Sequence, residues 1–345
     1  MRLLIVAPGQ DPATGNWVTA NRLAQGLTAR GHVVRLAAAG EDVAALQSAT
    51  MAAAPDLALL LHAWRSGRPW LATAAQLPYA VLLTGTDVNV GLSDPVQAPV
   101  IAAVLDRAAA ILAQDPAIVA TLRASWPALA PRVHVLPPGI SLGSDPYPVR
   151  EQLSLAGDEV LLLCPAGIRP VKGVLELLDL CGPLAEEGYR FRLLICGPIL
   201  DAVYGERFRA ALASRPWASY LGVVPPAAMP ALLQQVDLVV SNSRSEGLPN
   251  ALVEAATLGR PILASAISGN AAVVSPGHNG LLFRNRNDFV AALRSLLDDP
   301  ARLRALSRPD PGRFAPERES AVLERLCQDI LTVQCGAAEP TDVSA

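Results

Sequence analysis

Val160-Leu161-Leu162-Leu163-Cys164-Pro165-Ala166-Gly167-Ile168-Arg169-Pro170-Val171-Lys172-Gly173 reads as a strand, a turn and the mouth of a helix. Its apolar residues run unbroken from Val160 to Cys164, as in a strand covered on both faces. Pro and Gly then punctuate a turn, and a helical pattern follows. Two cations three residues apart at a helix entrance suit a diphosphate. The helix N-terminus adds backbone donors and the positive end of its dipole. Arg169 brings a planar fork and Lys172 a point charge. Lys172 is the only lysine in the chain, every other basic residue being Arg, and at a phosphate the two are not interchangeable. A solvated loop with ordinary surface cations is the plainer alternative.

The same order of elements recurs on both sides of this stretch. Upstream, residues 3–7, 33–37, 57–61, 79–83, 109–113 and 133–136 read as strands, with helical patterns at 17–30 and 95–107 between them. Downstream, strands are expected at 191–195, 238–241 and 261–264. Strand–helix alternation predicts parallel sheets covered by helices on both faces. The rhythm breaks once, at the Pro-, Gly- and Ser-rich stretch 137–148. Two Rossmann-like domains are therefore expected, at 1–145 and 146–307, with a helix at 316–335 packing back across their junction and a frayed polar tail.

The chain has 345 residues, 51% of them hydrophobic, and a net charge of −3. That is enough for two cores and gives no global reason to bind nucleic acid or an anionic membrane. Cys164, Cys181, Cys196, Cys327 and Cys335 have no metal-ligand spacing and are odd in number, so neither a metal cluster nor a disulfide framework is expected. The apolar N-terminus stops at Pro8-Gly9 without a cleavage motif and reads as a first strand rather than a leader. No stretch approaches the ~20 apolar residues of a membrane span. A cytoplasmic protein is the expectation.

The other informative residues follow strands, where doubly wound sheets hold ligands. After 238–241 comes Asn242-Ser243-Arg244-Ser245-Glu246-Gly247-Leu248-Pro249-Asn250-Ala251-Leu252-Val253-Glu254-Ala255. Pro249 suits the first turn of a helix, which leaves Glu246 at the helix mouth and Glu254 about a turn inside. Paired acids in these places can accept from sugar and ribose hydroxyls. Alternatively, Glu246 complements the helix dipole and Glu254 is simply a solvated helix residue. In the N-terminal half, Gly15-Asn16 opens a helix and allows close backbone approach to a phosphate or substrate. His62, Arg65, Asp87 and Asn89 also lie on post-strand loops. Structural roles compete with functional ones for each: a satisfied histidine, or an Asp in a turn or cap.

Glu246-Gly-Leu-Pro-Asn-Ala-Leu-Val-Glu254 and Gly167-Ile-Arg-Pro-Val-Lys-Gly173 resemble the paired-glutamate and diphosphate-binding segments of family-4 retaining glycosyltransferases. Residues 260–264 and 279–283 resemble two more of its segments, in the same order. Gly15-Asn16, the stretch from His62 to Gly67, Thr84-Gly-Thr-Asp-Val-Asn89 and residues 267–274 further resemble the animal glycosyltransferase 1 domain-containing group and, more distantly, bacterial selenosugar synthases. The resemblance implies an α/β fold of the GT-B type, two Rossmann-like domains with parallel sheets facing across a cleft. It implies a retaining, metal-independent hexosyltransferase using a nucleotide-diphosphate sugar, with UDP the first choice of nucleotide.

In that family the first Glu holds the donor sugar and the second the ribose, roles that pass to Glu246 and Glu254. Arg169 and Lys172 would hold the diphosphate. Gly247, Leu248 and the amides of Asn250 and Ala251 would lie beside it, with Gly222 and Val223 at the base. No cofactor or metal is expected, and no Asp-x-Asp motif is present. Asn16, His62, Arg65, Asp87 and Asn89 form the candidate acceptor set, with His62 and Asp87 positioning the acceptor or taking its proton. The set is polar and carries an Arg, which predicts a small, soluble and anionic acceptor. A selenosugar-synthase-like transferase to selenophosphate, a sugar-nucleotide epimerase and a non-catalytic nucleotide-sugar-binding protein are the alternatives.

Overall fold

The computed structural model describes residues 1–10, 14–40, 42–153 and 159–337, with side chains described as far as residue 333. The chain forms two compact units. One comprises residues 1–10, Asn16–Gly139 and the helix from Pro316; the other is residues 14–15 and Ile140–Ala315.

The first unit is built on β1 (Arg2–Ala7), β2 (Val33–Ala38), β3 (Leu57–Leu61), β4 (Tyr79–Leu83), β5 (Ala110–Ala113) and β6 (Val133–Val135). They form one sheet in the order β2-β1-β3-β4-β5-β6, and every pairing is parallel. The unbroken apolar runs have their physical reason here. All five residues of β3 and of β4 are buried, because helices cover both faces of the sheet. The edge strands β2 and β6 are only partly covered.

The helix Pro316–Ala337 belongs to this unit, and its Leu323, Cys327 and Ile330 pack with Leu3, Ile5 and Leu57 on one face of the sheet. Glu319, 1% exposed, ties it down: Arg22 Nε donates to Oε2 at 2.8 Å and Arg22 Nη2 to Oε1 at 3.0 Å. Gln114 Nε2 adds a third bond to Oε1 at 2.6 Å. The polar tail expected to fray lies outside the described residues from 338 onward.

The second unit is built on β7 (Val160–Pro165), β8 (Phe191–Cys196), β9 (Ala218–Tyr220), β10 (Leu238–Ser241), β11 (Ile262–Ser265) and β12 (Gly280–Phe283). Their order is β12-β11-β10-β7-β8-β9, again all parallel. The edge strands β9 and β12 go beyond the sequence expectation. They are three and four residues long, and neither offers a long apolar run. Apolar clusters fill both faces, one around Phe208 and Phe289, the other around Val239 and Ile262. Cys164, Cys181 and Cys196 are buried here and Cys327 in the first unit; burial pushes the thiols of Cys164 and Cys327 up to about 12. They are core residues. The Cys335 side chain lies outside the described residues.

Among the described residues, no helix is long and apolar enough to cross a membrane.

Candidate functional site

The second sheet reverses its winding between β7 and β10. From β7 the chain proceeds to β8 and β9 on one side; from β10 it proceeds to β11 and β12 on the other. Loops leaving neighbouring strands in opposite directions open a crevice beyond their carboxyl ends, the usual ligand site of such sheets. The loops at this point are Ala166–Gly173 after β7 and Asn242–Pro249 after β10. They are the two stretches singled out in the sequence.

One backbone bond and one side-chain bond tie the loops together. Arg244 N donates to Val171 O at 2.8 Å, and Asn242 Nδ2 to Gly173 O at 2.9 Å. Gly173 has φ +58°, and a Cβ on it would meet Asn242 O at 2.5 Å. Glycine is therefore required twice here, by conformation and by close approach. Arg169, half-buried and extended, precedes a single 3₁₀ turn at Pro170–Lys172, and the helix Val174–Glu186 follows. The turn aims Lys172 Nζ at Glu246 Oε1, with which it forms an ion pair. Ser243 Oγ donates to the same oxygen at 2.6 Å. Residues 74 apart in sequence thus place a cation and a carboxylate in direct contact.

Glu254 lies in the second turn of the helix Asn250–Thr257 and is buried. Its charge is felt at Cys196, the last residue of β8, whose thiol is raised first by burial, then by Cys164 and Glu254. Pro249 is the residue just before this helix rather than within its first turn, so Asn250 and Ala251 begin it. Gly247 is buried and Leu248 half-buried. Gly222, at φ +72°, turns the chain beyond β9, and its carbonyl accepts from Gly197 N at 2.8 Å at the end of β8. Val223 beside it is exposed.

The sequence reading attached no role to Ser265, Gly269 or Asn270. A Cβ on Gly269 would meet Gly247 O at 2.6 Å and Glu246 Cβ at 2.9 Å. The short helix Ser268–Ala271 is thus pressed against the loop that carries Glu246. Asn270, fully buried, donates from Nδ2 to Ser265 O at 2.9 Å and Ser265 Oγ at 3.0 Å. Residues 267–274 stood out by resemblance alone, and nothing local in them announces these contacts.

In the first unit the winding reverses between β1 and β3, and Gly15-Asn16 and the loop from His62 follow those strands. Part of the turn after β1, residues 11–13, lies outside the described residues. Asn16 is half-buried near the start of the helix Gly15–Ala29. Arg65 and Asn89 are exposed.

His62 and Asp87 are both buried. Asp87 is 0% exposed, and its carboxylate accepts from Ala63 N at 2.9 Å, Gly85 N at 2.9 Å and Thr84 N at 3.1 Å. It pins the loops after β3 and β4 to each other. His62, 3% exposed and at φ +76°, accepts from Arg65 N through Nδ1 at 3.2 Å. Nε2 therefore carries the proton and donates to Thr86 Oγ1 at 3.1 Å. Both side chains bond to atoms of the loops after β3 and β4. These bonds hold the loops that carry Arg65 and Asn89.

Among the described residues, no three His, Cys, Asp or Glu side chains gather in a way that could hold a metal ion.

Solved structures with the same architecture include sucrose-phosphate synthase from Thermosynechococcus elongatus, at TM-score 0.80 and 19% identity, over 96% of this chain and 99% of that one. Another is the Anabaena protein HepE in complex with UDP and glucose, at TM-score 0.76 and 16% identity, over 95% and 99%. In sequence, the chain is 27% identical over 326 residues to glycosyltransferase 1 domain-containing protein 1 of Xenopus tropicalis, covering 90% of this chain and 92% of that one. It is 30% identical over 212 residues to D-inositol 3-phosphate glycosyltransferase of Thermobispora bispora, covering 57% of this chain; the match spans half of that relative's length, at 50%. Residues 148–309 match the family model of glycosyl transferases group 1. Residues 148–309 therefore resemble the group 1 glycosyltransferase domain, and the two parallel sheets share the α/β fold of the GT-B type.

Proposed function

We propose that this protein is a retaining hexosyltransferase that takes its sugar from a nucleotide-diphosphate donor, UDP being the nucleotide, and works without a resident metal. The observation that carries this is the meeting of Lys172 and Glu246 where the second sheet reverses. A donor has an anionic diphosphate next to a ring of hydroxyls, and this site sets a cation next to a carboxylate. Arg169 and Lys172 meet the diphosphate, Glu246 the transferred sugar and Glu254 the ribose. Asn250 and Ala251, beginning their helix, add amides, and the loop at Gly222 and Val223 receives the base.

When the glycosidic bond breaks, negative charge grows on the diphosphate and the sugar gains oxocarbenium character. Fixed cations and amides aimed at that charge stabilise the transition state more than the ground state. They can do this without a divalent ion. In the retaining course the acceptor attacks on the face that the diphosphate leaves.

The acceptor is a small anionic molecule met by Asn16, Arg65 and Asn89. Arg65 is the exposed cation among them. Several sequence relatives bear the name D-inositol 3-phosphate glycosyltransferase, a phosphorylated small acceptor. HepE, solved with UDP and glucose, supports UDP as nucleotide.

The experiment is titration calorimetry of UDP in chelator, with two variants. Glu254→Ala weakens UDP about tenfold to a hundredfold, the roughly 1.5–3 kcal/mol of a hydrogen bond to a charged group. Glu246→Ala leaves UDP affinity near wild type and lowers turnover. UDP binding that requires magnesium or manganese overturns the metal-free reading, and the reverse pattern in the two variants overturns the roles.

A further inference from the structure

Two donors converge on Glu246 Oε1, and they are not equivalent. Lys172 is a long, rotatable side chain, and a donor's diphosphate competes for it. Ser243 has one rotor, is 3% exposed and sits within the same loop as Glu246. Its bond to Oε1, at 2.6 Å, has the length of a charge-assisted O–H···O⁻ bond.

The proton directions around Ser243 are determined. A carboxylate only accepts, so the Ser243 hydroxyl proton points at Glu246. Ser241 Oγ therefore donates to Ser243 Oγ, at 3.4 Å. Ser265 Oγ spends its single proton on Ser243 O at 2.5 Å. That leaves Ser265 Oγ an acceptor, and Asn270 Nδ2 donates to it. Asn270 thus holds Ser265, and Ser265 holds the backbone carbonyl of Ser243, the residue whose hydroxyl donates to the carboxylate. Behind it, Gly269 lies so close that a Cβ there would meet the Glu246 Cβ at 2.9 Å.

We propose that Ser243, braced by Ser265 and Asn270, is a positioning residue that fixes the Glu246 carboxylate and thereby sets which arrangement of donor-sugar hydroxyls the site accepts. This rests on the reading of Glu246 as the donor-sugar contact. When the diphosphate draws Lys172 away, the Ser243 hydroxyl stays with the carboxylate. A carboxylate held in one orientation discriminates between epimers, because a hydroxyl on the wrong face leaves a costly unmade hydrogen bond. A carboxylate free to rotate follows the hydroxyl and loses that discrimination.

The test uses the full chain and release of UDP from UDP-glucose, UDP-galactose and UDP-N-acetylglucosamine, with UDP binding measured separately. Ser243→Ala lowers kcat/KM for the preferred sugar about tenfold to a hundredfold, brings the glucose and galactose donors closer together and leaves UDP affinity within about twofold of wild type. Ser243→Thr, which keeps the hydroxyl, restores both the rate and the preference. Asn270→Ala moves the same quantities in the same direction by less. Glu246→Gln is run alongside. If Glu246→Gln abolishes release while Ser243→Ala keeps the wild-type rate and preference, the positioning role is wrong and the donor reading stands. If Glu246→Gln is itself as active as wild type, or none of the three sugars releases UDP, the donor reading falls and takes this proposal with it. A Ser243→Thr variant as impaired as Ser243→Ala also refutes the proposal, since shape rather than the hydroxyl would then be at work.

Discussion

Asp87→Ala is expected to unfold the first unit more readily while sparing the second. The carboxylate takes three backbone N–H groups, of Ala63, Thr84 and Gly85, and those of Ala63 and Gly85 are buried with it. Each buried donor left without a partner costs about 1–3 kcal/mol, so the alanine variant loses roughly 2–6 kcal/mol. Asp87→Asn should lose about half of that. Its amide oxygen can still accept from Thr84 and Gly85, but an NH₂ then faces the Ala63 N–H, a donor against a donor.

The assay is urea unfolding followed by tryptophan fluorescence, which reports on Trp17, Trp64, Trp70 and Trp126 of the first unit. UDP affinity, measured in parallel, stays at wild type. Transfer falls in both variants in proportion to the loss of stability. A group that takes the acceptor's proton would behave differently: the asparagine variant would keep wild-type stability and lose turnover. A urea midpoint unchanged in Asp87→Ala, together with lost transfer, would falsify the assignment of Asp87 to the loops.

Two further outcomes concern the C-terminal helix. Glu319→Ala strands Arg22 at 5% exposure without its counter-charge, and such losses cost about 3–5 kcal/mol. The double variant Arg22→Met with Glu319→Leu should recover most of this in the same urea assay; a double variant as unstable as the single one contradicts the charge argument. Glu324 is held below its ordinary pKa, first by the hydrogen bond from Arg30 and then by that from His32. A depressed folded pKa means stabilisation that is present above the unfolded value and lost as pH falls through the folded one. Glu324→Gln should therefore lower the melting temperature at neutral pH and make no difference in acid below the depressed value. An equal effect at both pH values rules out the linkage.

The strand–helix alternation was legible because a strand buried on both faces must be apolar throughout. Residues 57–61 and 79–83 could hardly be read otherwise, and their boundaries agree with the structure. β9 and β12 escaped because a short edge strand is covered on fewer sides and needs no apolar run. The turn at Arg169–Lys172 and the loop at Glu246 were also legible, since glycine, proline and charge at a strand end are local features with local causes.

His62 and Asp87 were not separable from acceptor ligands by sequence, because a buried carboxylate bonded to backbone amides and an exposed one bonded to substrate are the same letter. What the sequence by itself determined is therefore the set of elements and the chemistry carried at their ends. Only the tertiary structure decided which ends meet. Strand order is a matter of pairing between distant segments, and it is the reversal between β7 and β10 that brings Lys172 to Glu246. The same long-range pairing sets β11 beside β10, so that Ser265 and Asn270 come to stand behind Ser243. No residue in either stretch records that neighbour, because the contact is made by the sheet and not by the local chain.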